Sequence, residues 1–336
     1  MTTSGARQGI RPGVCLSTSR PASPFIGQII YMTDVNQSAV WNGTSWEGLD
    51  RSRDRNVVIN GNMDVWQRGT TFSISTGVAQ YTADRWQQYF NGSGTIAQET
   101  TVKPDTSLFS LKMTATATSG DNRIFQLVEH RNMAKFKGKT VTLSVKLAGT
   151  ATISPSIALA YSTNADDSLT NTGTAITASS TTTPAINAST FVTWVSTFTV
   201  PITAKTLRIG IGTGPVVNTN VLYVSEVQLE AGTVATPFEF EDYGTTLQKC
   251  QRYFQAYPSS RYDLYSQRSG DEVKSATLQF ITTLRTTPTV TLVNTSTDGG
   301  PAFTVQAFPH CSRVSVTSTS SAQAPYIDSW TATAEL

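Results

Sequence analysis

The stretch Phe191-Val-Thr-Trp-Val-Ser-Thr-Phe-Thr-Val200 shows the pattern that decides the fold class. Val192, Trp194 and Phe198 fall on one face of an extended strand, because successive side chains in a strand point to opposite sides of the sheet. Thr193 falls on the other face, where a β-branched polar side chain tolerates partial exposure. The stretch therefore predicts a strand with one buried face.

Further segments with strand composition lie on both sides of this one, and turn-rich spacers separate them. Between residues 56 and 240 they are 56–59, 85–90, 108–115, 124–129, 140–147, 153–161, 207–211 and 221–229. Many short strands without intervening helical periodicity are typical of an antiparallel sandwich of the jelly-roll type. We expect the Ser/Thr/Ala-rich residues 162–190 to form an edge hairpin with a long exposed loop.

The composition of the whole chain supports an all-β protein and excludes several classes of function. Only 14% of the 336 residues are charged, while Ser and Thr occupy 89 positions. The net charge of +2 gives no basic field for a nucleic acid, and no apolar run approaches the roughly 18 residues needed for membrane insertion. The first ten residues lack the apolar region of a signal peptide, so we expect assembly in the cytoplasm. Three widely spaced cysteines predict reduced thiols: Cys15, Cys250 and Cys311.

A small β module precedes the jelly roll. Strands are predicted at 28–32, 38–41 and 45–49, and the Asn42-Gly43 pair between two of them is a strong hairpin signal. Three strands of this length bury little area, so the module needs a neighbour or copies of itself. We therefore interpret residues 1–55 as a β-hairpin docking module that ends in a charged hinge.

One helix and a second sandwich follow the jelly roll. Leu247, Cys250, Phe254 and Tyr257 fall at i, i+3, i+7 and i+10, which predicts a linking α-helix within residues 241–258. Residues 259–336 return to strand composition and predict a smaller C-terminal β-sandwich. Its strands are expected at 263–267, 274–284, 289–293, 302–307, 313–319 and 326–334.

Three segments resemble a family of bacteriophage tail-fibre and head-fibre structural proteins. The first is Arg20-Pro-Ala-Ser-Pro-Phe-Ile-Gly-Gln-Ile-Ile-Tyr-Met-Thr-Asp34, followed by Val40-Trp-Asn-Gly-Thr-Ser-Trp46, and it looks like their amino-terminal module. The second joins Asn56-Val-Val-Ile-Asn-Gly-Asn-Met-Asp-Val-Trp-Gln-Arg-Gly69 to Tyr81-Thr-Ala-Asp-Arg-Trp86, and it is similar to the opening of their carbohydrate-binding-module-like jelly roll. The third comprises Val227-Gln-Leu-Glu-Ala-Gly232, Ala235-Thr-Pro-Phe-Glu239 and Cys250-Gln-Arg-Tyr-Phe254.

This resemblance implies a virion protein that attaches to the host surface through weak, multivalent glycan binding. Its docking module would join other virion proteins, such as a portal, adaptor, tail or capsid protein. The small module and the lone helix both need partners, and a homotrimer would supply them while adding avidity. A purely architectural role in the capsid or tail is the alternative within the virion, and a polysaccharide depolymerase is the alternative from another class.

The candidate receptor contacts lie near turns of the C-terminal sandwich, far along the chain from the docking module. Aromatic, arginine and histidine side chains near turns supply the area and the hydrogen bonds that recognition loops require. The candidates are Tyr265, Arg268, His310 and Tyr326.

An alternative glycan platform lies on the jelly roll itself. Trp86, Tyr89 and Trp194 could stack on sugar rings, because aromatic faces pack against the C–H groups of a pyranose. The competing interpretation places the tryptophans in the core between the sheets.

The sequence gives only weak signals for catalysis and for metal binding. Asp166 with Asp167, or Glu239 with Glu241 and Asp242, could supply a carboxylate pair for glycoside hydrolysis, but neighbouring residues on a strand point to opposite faces. We therefore expect a protein without enzymatic activity and without a cofactor. The resemblance also allows a structural Ca²⁺, since jelly rolls of this kind often carry one, and the carboxylates considered for it are Asp64, Asp84 and Asp242.

Overall fold

The computed structural model confirms the all-β fold class. It describes residues 13–34, 37–49, 55–116, 122–150, 153–167, 173–182, 185–188, 190–214, 217, 219–258, 261–264, 273–296, 302–317 and 325–335. Within these ranges the chain forms twenty-four strands and two helices. Neither helix is long and apolar enough to cross a membrane.

The first sheet has four short strands. They are β1 (Gly13–Cys15), β2 (Ile29–Met32), β3 (Gln37–Trp41) and β4 (Trp46–Gly48). Strands pair in chain order, with β1 parallel to β2 and the other pairs antiparallel. The predicted turn is present, since the Asn42 side chain accepts hydrogen bonds from the amides of Thr44 and Ser45 at 2.8 and 2.7 Å. Among the described residues of this sheet, Ile30, Met32 and Ala39 form the buried core.

The next thirteen strands form a sandwich of two antiparallel sheets. They are β5 (Thr71–Ile74), β6 (Gln80–Tyr81), β7 (Gln87–Tyr89), β8 (Gly94–Glu99), β9 (Ser110–Ala115), β10 (Arg123–Val128), β11 (Thr140–Gly149), β12 (Ser156–Ser162), β13 (Thr174–Ile176), β14 (Ala178–Thr182), β15 (Val192–Thr199), β16 (Thr206–Gly212) and β17 (Val221–Ala231), with helix α1 (His130–Met133) after β10. One sheet has six strands in the order β13-β12-β16-β10-β7-β6, and the other has seven in the order β14-β15-β11-β17-β9-β8-β5.

Alternating apolar side chains fill the space between these sheets. Leu143 and Val145 of β11 point inwards from the seven-stranded sheet, and Ile209 and Ile211 of β16 point inwards from the six-stranded sheet. Each is completely buried. This core explains why the polar Ser/Thr-rich strands hold together, because burial of apolar area supplies most of the driving force for folding.

The two strands within residues 162–190 lie at sheet edges, as expected, but they pair with β12 and β15 and not with each other. Strand β13 is the edge of the six-stranded sheet, whereas β14 is the edge of the seven-stranded sheet. A single residue, Thr177, separates them, and the commonest tight hairpins need two connecting residues. The chain therefore crosses from one sheet to the other at this point and closes one side of the sandwich.

The prediction of a strand at residues 56–59 is wrong. The Val57 N–H donates to the Leu229 carbonyl of β17 at 3.2 Å, and side chains make further contacts: the Gln126 amide both accepts from the Ile59 N–H and donates to the Ile59 carbonyl, each at 2.8 Å. The Asn56 side chain accepts from the Val58 N–H at 3.0 Å. Asn60 then turns the chain with a φ of 57°, which asparagine tolerates better than most residues.

The helix after the sandwich is shorter than the predicted one. Helix α2 spans Tyr243–Gln251, and the Asp242 side chain caps it by accepting from the amides of Gly244 and Thr245. Phe254 and Tyr257, which the helical spacing placed on the same stripe, lie instead on strand β18 (Phe254–Tyr257). That strand pairs with the last strand of the chain, so tertiary pairing overrides the local period.

The second, smaller sandwich consists of β18 and six further strands. These are β19 (Tyr262–Asp263), β20 (Val273–Gln279), β21 (Thr289–Ser296), β22 (Thr304–Ala307), β23 (Cys311–Thr317) and β24 (Tyr326–Thr333). Strand β24 pairs with β18, β19 and β21, while β23 pairs with β20 and β22. Trp330 is buried at the centre, where its ring stacks on Tyr257 at a centroid distance of 3.8 Å.

Candidate functional site

The outer faces of the two jelly-roll sheets are used differently. Residues 232–241 cross the outer face of the seven-stranded sheet and are held there by side chains of β17. The Gln228 amide accepts from the Glu239 N–H at 2.8 Å, and the Glu230 carboxylate accepts from the Thr236 N–H at 2.8 Å. The outer face of the six-stranded sheet is therefore the better place to look for a ligand.

That face contains a small, shallow cleft. Its floor is made by small residues: Gly210 of β16 lies in register with Ala158 of β12 on one side and with Phe125 of β10 on the other. Because Gly210 and Ala158 have almost no side chain, a depression forms beside the Phe125 ring. The lining residues are Tyr89, Arg123, Phe125, Ala158, Ala160, Arg208 and Gly210.

Two arginines and one tyrosine frame the depression. Arg208 extends over the Phe125 ring, with its guanidinium carbon 5.8 Å from the ring centroid. Arg123 is exposed and lies directly opposite Tyr89 in the register of β10 and β7. Burial in the cleft and the nearby charge of Arg123 hold the pKa of the Arg208 guanidinium below its ordinary value. The cleft thus places one half-buried aromatic ring, that of Tyr89, beside hydrogen-bond donors of positive charge.

The three aromatic residues of the predicted glycan platform are not together. Trp86 has an exposed fraction of 0% and Trp194 one of 7%, and both belong to the core between the sheets. The indole N–H of Trp86 donates to the Asn60 carbonyl at 3.0 Å. Neither tryptophan presents a ring face on which a sugar could stack, whereas Tyr89 lines the cleft.

The sequence interpretation missed Arg123, Phe125 and Arg208. A signal was present, because the alternation in Arg123-Ile-Phe-Gln-Leu-Val128 places Arg123 and Phe125 on the face opposite the core residue Ile124. The alternation alone could not identify the outer face, since both faces of this strand carry apolar side chains.

The predicted receptor contacts are only partly described. Tyr265 and Arg268 lie outside the described residues. His310 is exposed and its ring lies 6.1 Å from that of Phe308, while Tyr326 is half-buried with the guanidinium carbon of Arg261 4.2 Å from its ring centroid.

His310 and Tyr326 lie at opposite ends of the second sandwich. The turn that contains His310 is tied to the chain before β21 by the Leu284 N–H, which donates to the Pro309 carbonyl at 2.7 Å. The Arg285 N–H donates to the carbonyl of Arg252, which directly follows helix α2. Tyr326 instead pairs with Asp263 at the other end of β24. The structure therefore does not bring these two candidates into one site.

The three carboxylates considered for calcium lie apart from one another, and each contacts another group of this chain. Asp84 forms an ion pair with Arg68 at 3.1 Å, and Asp242 caps helix α2. Asp64 accepts a hydrogen bond from the Asn62 side chain at 2.6 Å. Within the described ranges, no three His, Cys, Asp or Glu side chains come close enough to hold a metal ion. These three residues do not fit a shared calcium site.

The candidate catalytic carboxylates also have structural partners. Asp166 accepts from the His130 N–H at 3.1 Å, and Asp167 accepts from the Ser162 hydroxyl at 2.6 Å.

The second carboxylate group lies along the segment that leads into helix α2. Glu239 accepts from the Asn56 N–H at 2.8 Å, and Glu241 forms an ion pair with Lys249. With Asp242 used as a helix cap, each member of this group has a local structural contact.

A larger groove lies where residues 56–59, the region of α1 and the end of α2 meet. Its lining includes Arg131, Lys135, Lys249 and Arg252. Two of these cations have carboxylate partners, because Lys249 pairs with Glu241 and Arg252 pairs with Glu129. Those pairs reduce the attraction of this groove for another anion.

Comparison with known proteins gives similarity in fold over about half of the chain. No family model and no curated protein sequence matches it. The enzymatically active domain of tailspike protein 4 of bacteriophage CBA120 is 14% identical with a TM-score of 0.32, and the match covers 53% of this chain and 22% of that one.

Two carbohydrate-binding modules match over almost their whole length. The CBM22-1 xylan-binding domain from Paenibacillus barcinonensis Xyn10C is 11% identical, with a TM-score of 0.32 and coverage of 54% of this chain and 96% of that one. TmCBM61, solved with β-1,4-galactotriose, is 8% identical, with a TM-score of 0.31 and coverage of 53% and 100%. These likenesses assign no role to any residue of this chain.

Proposed function

We propose that this chain is a non-enzymatic structural protein of a bacteriophage virion, a tail or head fibre, that attaches to the host by binding surface glycan. The jelly roll would hold the glycan in the cleft on its six-stranded sheet. One observation carries this proposal: the half-buried Tyr89 stands beside a floor of Gly210 and Ala158 on an outer sheet face.

The cleft has the two kinds of surface that a sugar ring requires. A pyranose has C–H groups that pack against an aromatic ring and hydroxyl groups that need hydrogen-bond partners at its rim. Tyr89 supplies the aromatic surface, because the Phe125 ring is buried with an exposed fraction of 3%, while Arg123 and Arg208 supply N–H donors for hydroxyl oxygens. A small cleft binds one short segment weakly. We therefore propose a homotrimer, in which three clefts act together.

The virion part of the proposal is supported by the amino-terminal module and by its resemblance to fibre proteins. Phe25 and Ile26 have exposed fractions of 69% and 76%, and Val14 has one of 70%. In the described part of the module, three apolar side chains are buried. Exposed apolar side chains on so small a unit favour contact with another protein. We propose that this contact joins the chain to the virion.

The absence of enzymatic activity is likewise a proposal. It is supported by the contacts of the candidate carboxylates, which accept backbone amides, a hydroxyl or an ammonium group of this chain. A glycosidase needs two carboxyl groups that face one substrate across the scissile bond. A purely architectural protein and a polysaccharide depolymerase remain the competing functions, and each gives a distinct result below.

A glycan array probed with the purified full chain tests the proposal. The wild type should bind a subset of bacterial surface oligosaccharides, and Ala158→Trp should abolish binding because the indole fills the floor of the cleft. Tyr89→Ala should weaken binding as a second, smaller change. Thr277→Trp places the same side chain at an exposed position on β20 of the second sandwich and serves as the matched control.

The competing functions predict other outcomes. An architectural protein would bind no glycan on the array. A depolymerase would release reducing ends from host capsule or lipopolysaccharide during incubation. Binding that Ala158→Trp leaves unchanged, with melting temperatures equal to the wild type, would place the glycan elsewhere on the molecule and refute the cleft.

A further inference from the structure

We propose that a pocket between the amino-terminal module and the jelly roll binds a carboxylate-bearing segment of the virion protein to which the module docks. This inference rests on the proposed docking of the module to the virion and names the chemistry of the partner. Its basis is a pair of arginines, Arg20 and Arg55, that line one pocket with buried donors and no acceptor within the described part of the chain.

The pocket is built by two parts of the chain. One wall belongs to the sheet of the module, where Met32 of β2, Ala39 of β3 and Trp46 of β4 line it. The other wall is the segment 234–237, which Glu230 of β17 holds against the seven-stranded sheet. The free volume is about 80 Å³, more than one water molecule needs and enough for a carboxylate group. A ligand held there would contact both units.

The two arginines come from different parts of the sequence. Arg20 lies in the loop between β1 and β2, whereas Arg55 lies where the chain enters the jelly roll. Among the described residues, neither Nε–H group has a hydrogen-bond acceptor, although both nitrogen atoms are buried. A buried donor without an acceptor is unfavourable, and native structures contain few of them. Two such donors on one pocket therefore call for an acceptor from another molecule.

An anion is the acceptor that suits these donors. A guanidinium group is planar, stays charged and presents N–H donors that match both oxygens of a carboxylate. None of the ten described residues that line the pocket is acidic. Glu230 holds the segment 234–237 from the sheet side, where its carboxylate accepts from the N–H and the hydroxyl of Thr236. Along its described lining, the pocket thus offers two cationic groups and no carboxylate.

Apolar groups near the arginines favour a peptide over an inorganic anion. Trp46 is half-buried in the lining, and Val234 has an exposed fraction of 40%. The loop that carries Arg20 also presents the exposed Phe25 and Ile26. A segment with a carboxylate next to an apolar side chain would cover both kinds of surface, whereas a small ion would leave the apolar part in water. The occupant is therefore an acidic, partly apolar stretch of the docking partner.

The experiment measures binding of the purified full chain to labelled hexapeptides. One pool carries a central Glu or Asp between aliphatic and aromatic residues, and the matched pool carries Gln or Asn at the same position. We expect the acidic pool to bind at least about tenfold more tightly, with affinity falling as salt rises, because an ionised acceptor strengthens the hydrogen bonds and salt screens it. Acetate and inorganic phosphate are the competitors, and they should displace the peptides only at much higher concentrations.

Variants connect binding to the two arginines. Arg20→Gln and Arg55→Gln should each weaken the acidic pool about tenfold and leave the amide pool unchanged. Their melting temperatures should not fall, because neither Nε–H group has an acceptor among the described residues to lose. Arg131→Gln removes the same charge from an exposed site on α1 and should bind like the wild type. In purified particles, the copy number of the protein with both arginine substitutions should fall severalfold, since the docking contact loses its charged part.

Other results would overturn the inference. Equal binding of the two pools, displacement by acetate as readily as by peptide, or a loss of stability in the arginine variants would each do so. Asp50→Asn combined with Asp54→Asn tests the hinge, because these are the carboxylates nearest to Arg55 in the sequence. Acidic binding that appears only in this variant would assign the pocket to the chain itself. A wild-type chain that is absent from purified particles overturns the proposed virion function, while the peptide measurements still decide whether the pocket binds a carboxylate.

Discussion

The Glu335 carboxylate of the second sandwich forms an ion pair with the guanidinium of Arg85, which lies fully buried in the jelly roll. The same carboxylate pairs with Arg68 at 2.9 Å. Arg85 also stacks over the ring of Tyr253, directly after helix α2, at 3.5 Å from its centroid. Burial lowers the pKa of Arg85, and the charges of Glu335, Tyr253, Tyr81 and Cys250 together more than offset this effect, so the net direction is upward. The two sandwiches are therefore joined by a buried charge network.

Glu335→Gln should weaken this joint strongly. The substitution leaves the buried Arg85 without its carboxylate partner, and breaking one side of a buried pair costs about 3 kcal/mol or more. We expect the cooperative melting of the two sandwiches to separate into two calorimetric transitions, with the second sandwich melting first.

Asp263→Asn is the matched control, because its pair with Arg261 is exposed and exposed pairs contribute little. It should melt like the wild type. A Glu335→Gln protein with one unchanged transition would show that the joint does not depend on this carboxylate.

Phe254 is the apolar counterpart of this joint. It is buried on β18, and the Arg68 guanidinium lies 3.7 Å from its ring centroid. Phe254→Ala should destabilise the second sandwich by about 3 kcal/mol, because a buried aromatic side chain and its contact with a cation are both lost. Limited proteolysis should then cut the second sandwich while the jelly roll stays intact. Phe254→Leu keeps most of the buried volume and should be markedly more resistant; equal resistance of all three proteins would contradict the argument.

The fold class could be predicted from the sequence because the evidence for it is local. The alternation around Trp194 and the Asn42-Gly43 turn each reflect a period or a dihedral preference of a few residues. The helix prediction failed at Phe254 because a distant residue decides its secondary structure. Phe254 fits a helical stripe, but its pairing with Thr333 makes it part of a strand. A periodic pattern over a few neighbouring residues carries no information about a pairing partner so far along the chain.

The candidate site was harder to predict for the same reason. Tyr89 was selected because aromatic residues are common in glycan sites, whereas Arg208 joins Phe125 only through the register of β10 and β16. The role of Gly210 depends on what lies beside it, since a glycine makes a cleft floor only when small residues neighbour it. Such neighbours are fixed by sheet order, which one sequence does not give.

Asp64 should make stability depend on pH in an unusual direction. Burial raises the pKa of its carboxyl to about 6, although hydrogen bonds from the amides of Leu108 and Phe109 act in the opposite direction. Between about pH 4 and pH 6 the folded state then holds a proton that the unfolded state has released, so the free energy of unfolding falls as pH rises. Asp64→Asn imitates the protonated form and should remove this contribution.

The measurement is the melting temperature of both proteins from pH 4 to pH 7 in the presence of EDTA. The wild type should lose stability relative to Asp64→Asn as the pH rises through this window. A difference that is constant with pH, or that moves in the other direction, would show that the Asp64 carboxyl is not held protonated by burial.

The exposed apolar side chains of the amino-terminal module should be needed for incorporation into the virion. Phe25→Ser combined with Ile26→Ser removes apolar area that the module leaves in solvent, so the melting temperature should stay within about 2 °C of the wild type. Copy number in purified particles should fall severalfold, because a docking contact loses its apolar centre. Val78→Ser, at an exposed apolar position in the jelly roll, is the control and should incorporate normally. Normal copy number for the double variant would exclude this surface as the dock.

Phage adsorption separates the jelly-roll cleft from the two ends of the second sandwich as the place of host contact. Ala158→Trp blocks the cleft, Tyr326→Ala alters the end of β24 near Asp263, and His310→Ala alters the end next to α2. If the cleft holds the host glycan, particles with Ala158→Trp should adsorb at least about tenfold more slowly, because weak contacts multiplied by avidity are lost together. The other two variants should adsorb like the wild type, with melting temperatures and copy numbers confirming that all three proteins are folded and incorporated. Slow adsorption by Tyr326→Ala with normal adsorption by Ala158→Trp would instead place the receptor contact on the second sandwich, where the sequence first suggested it.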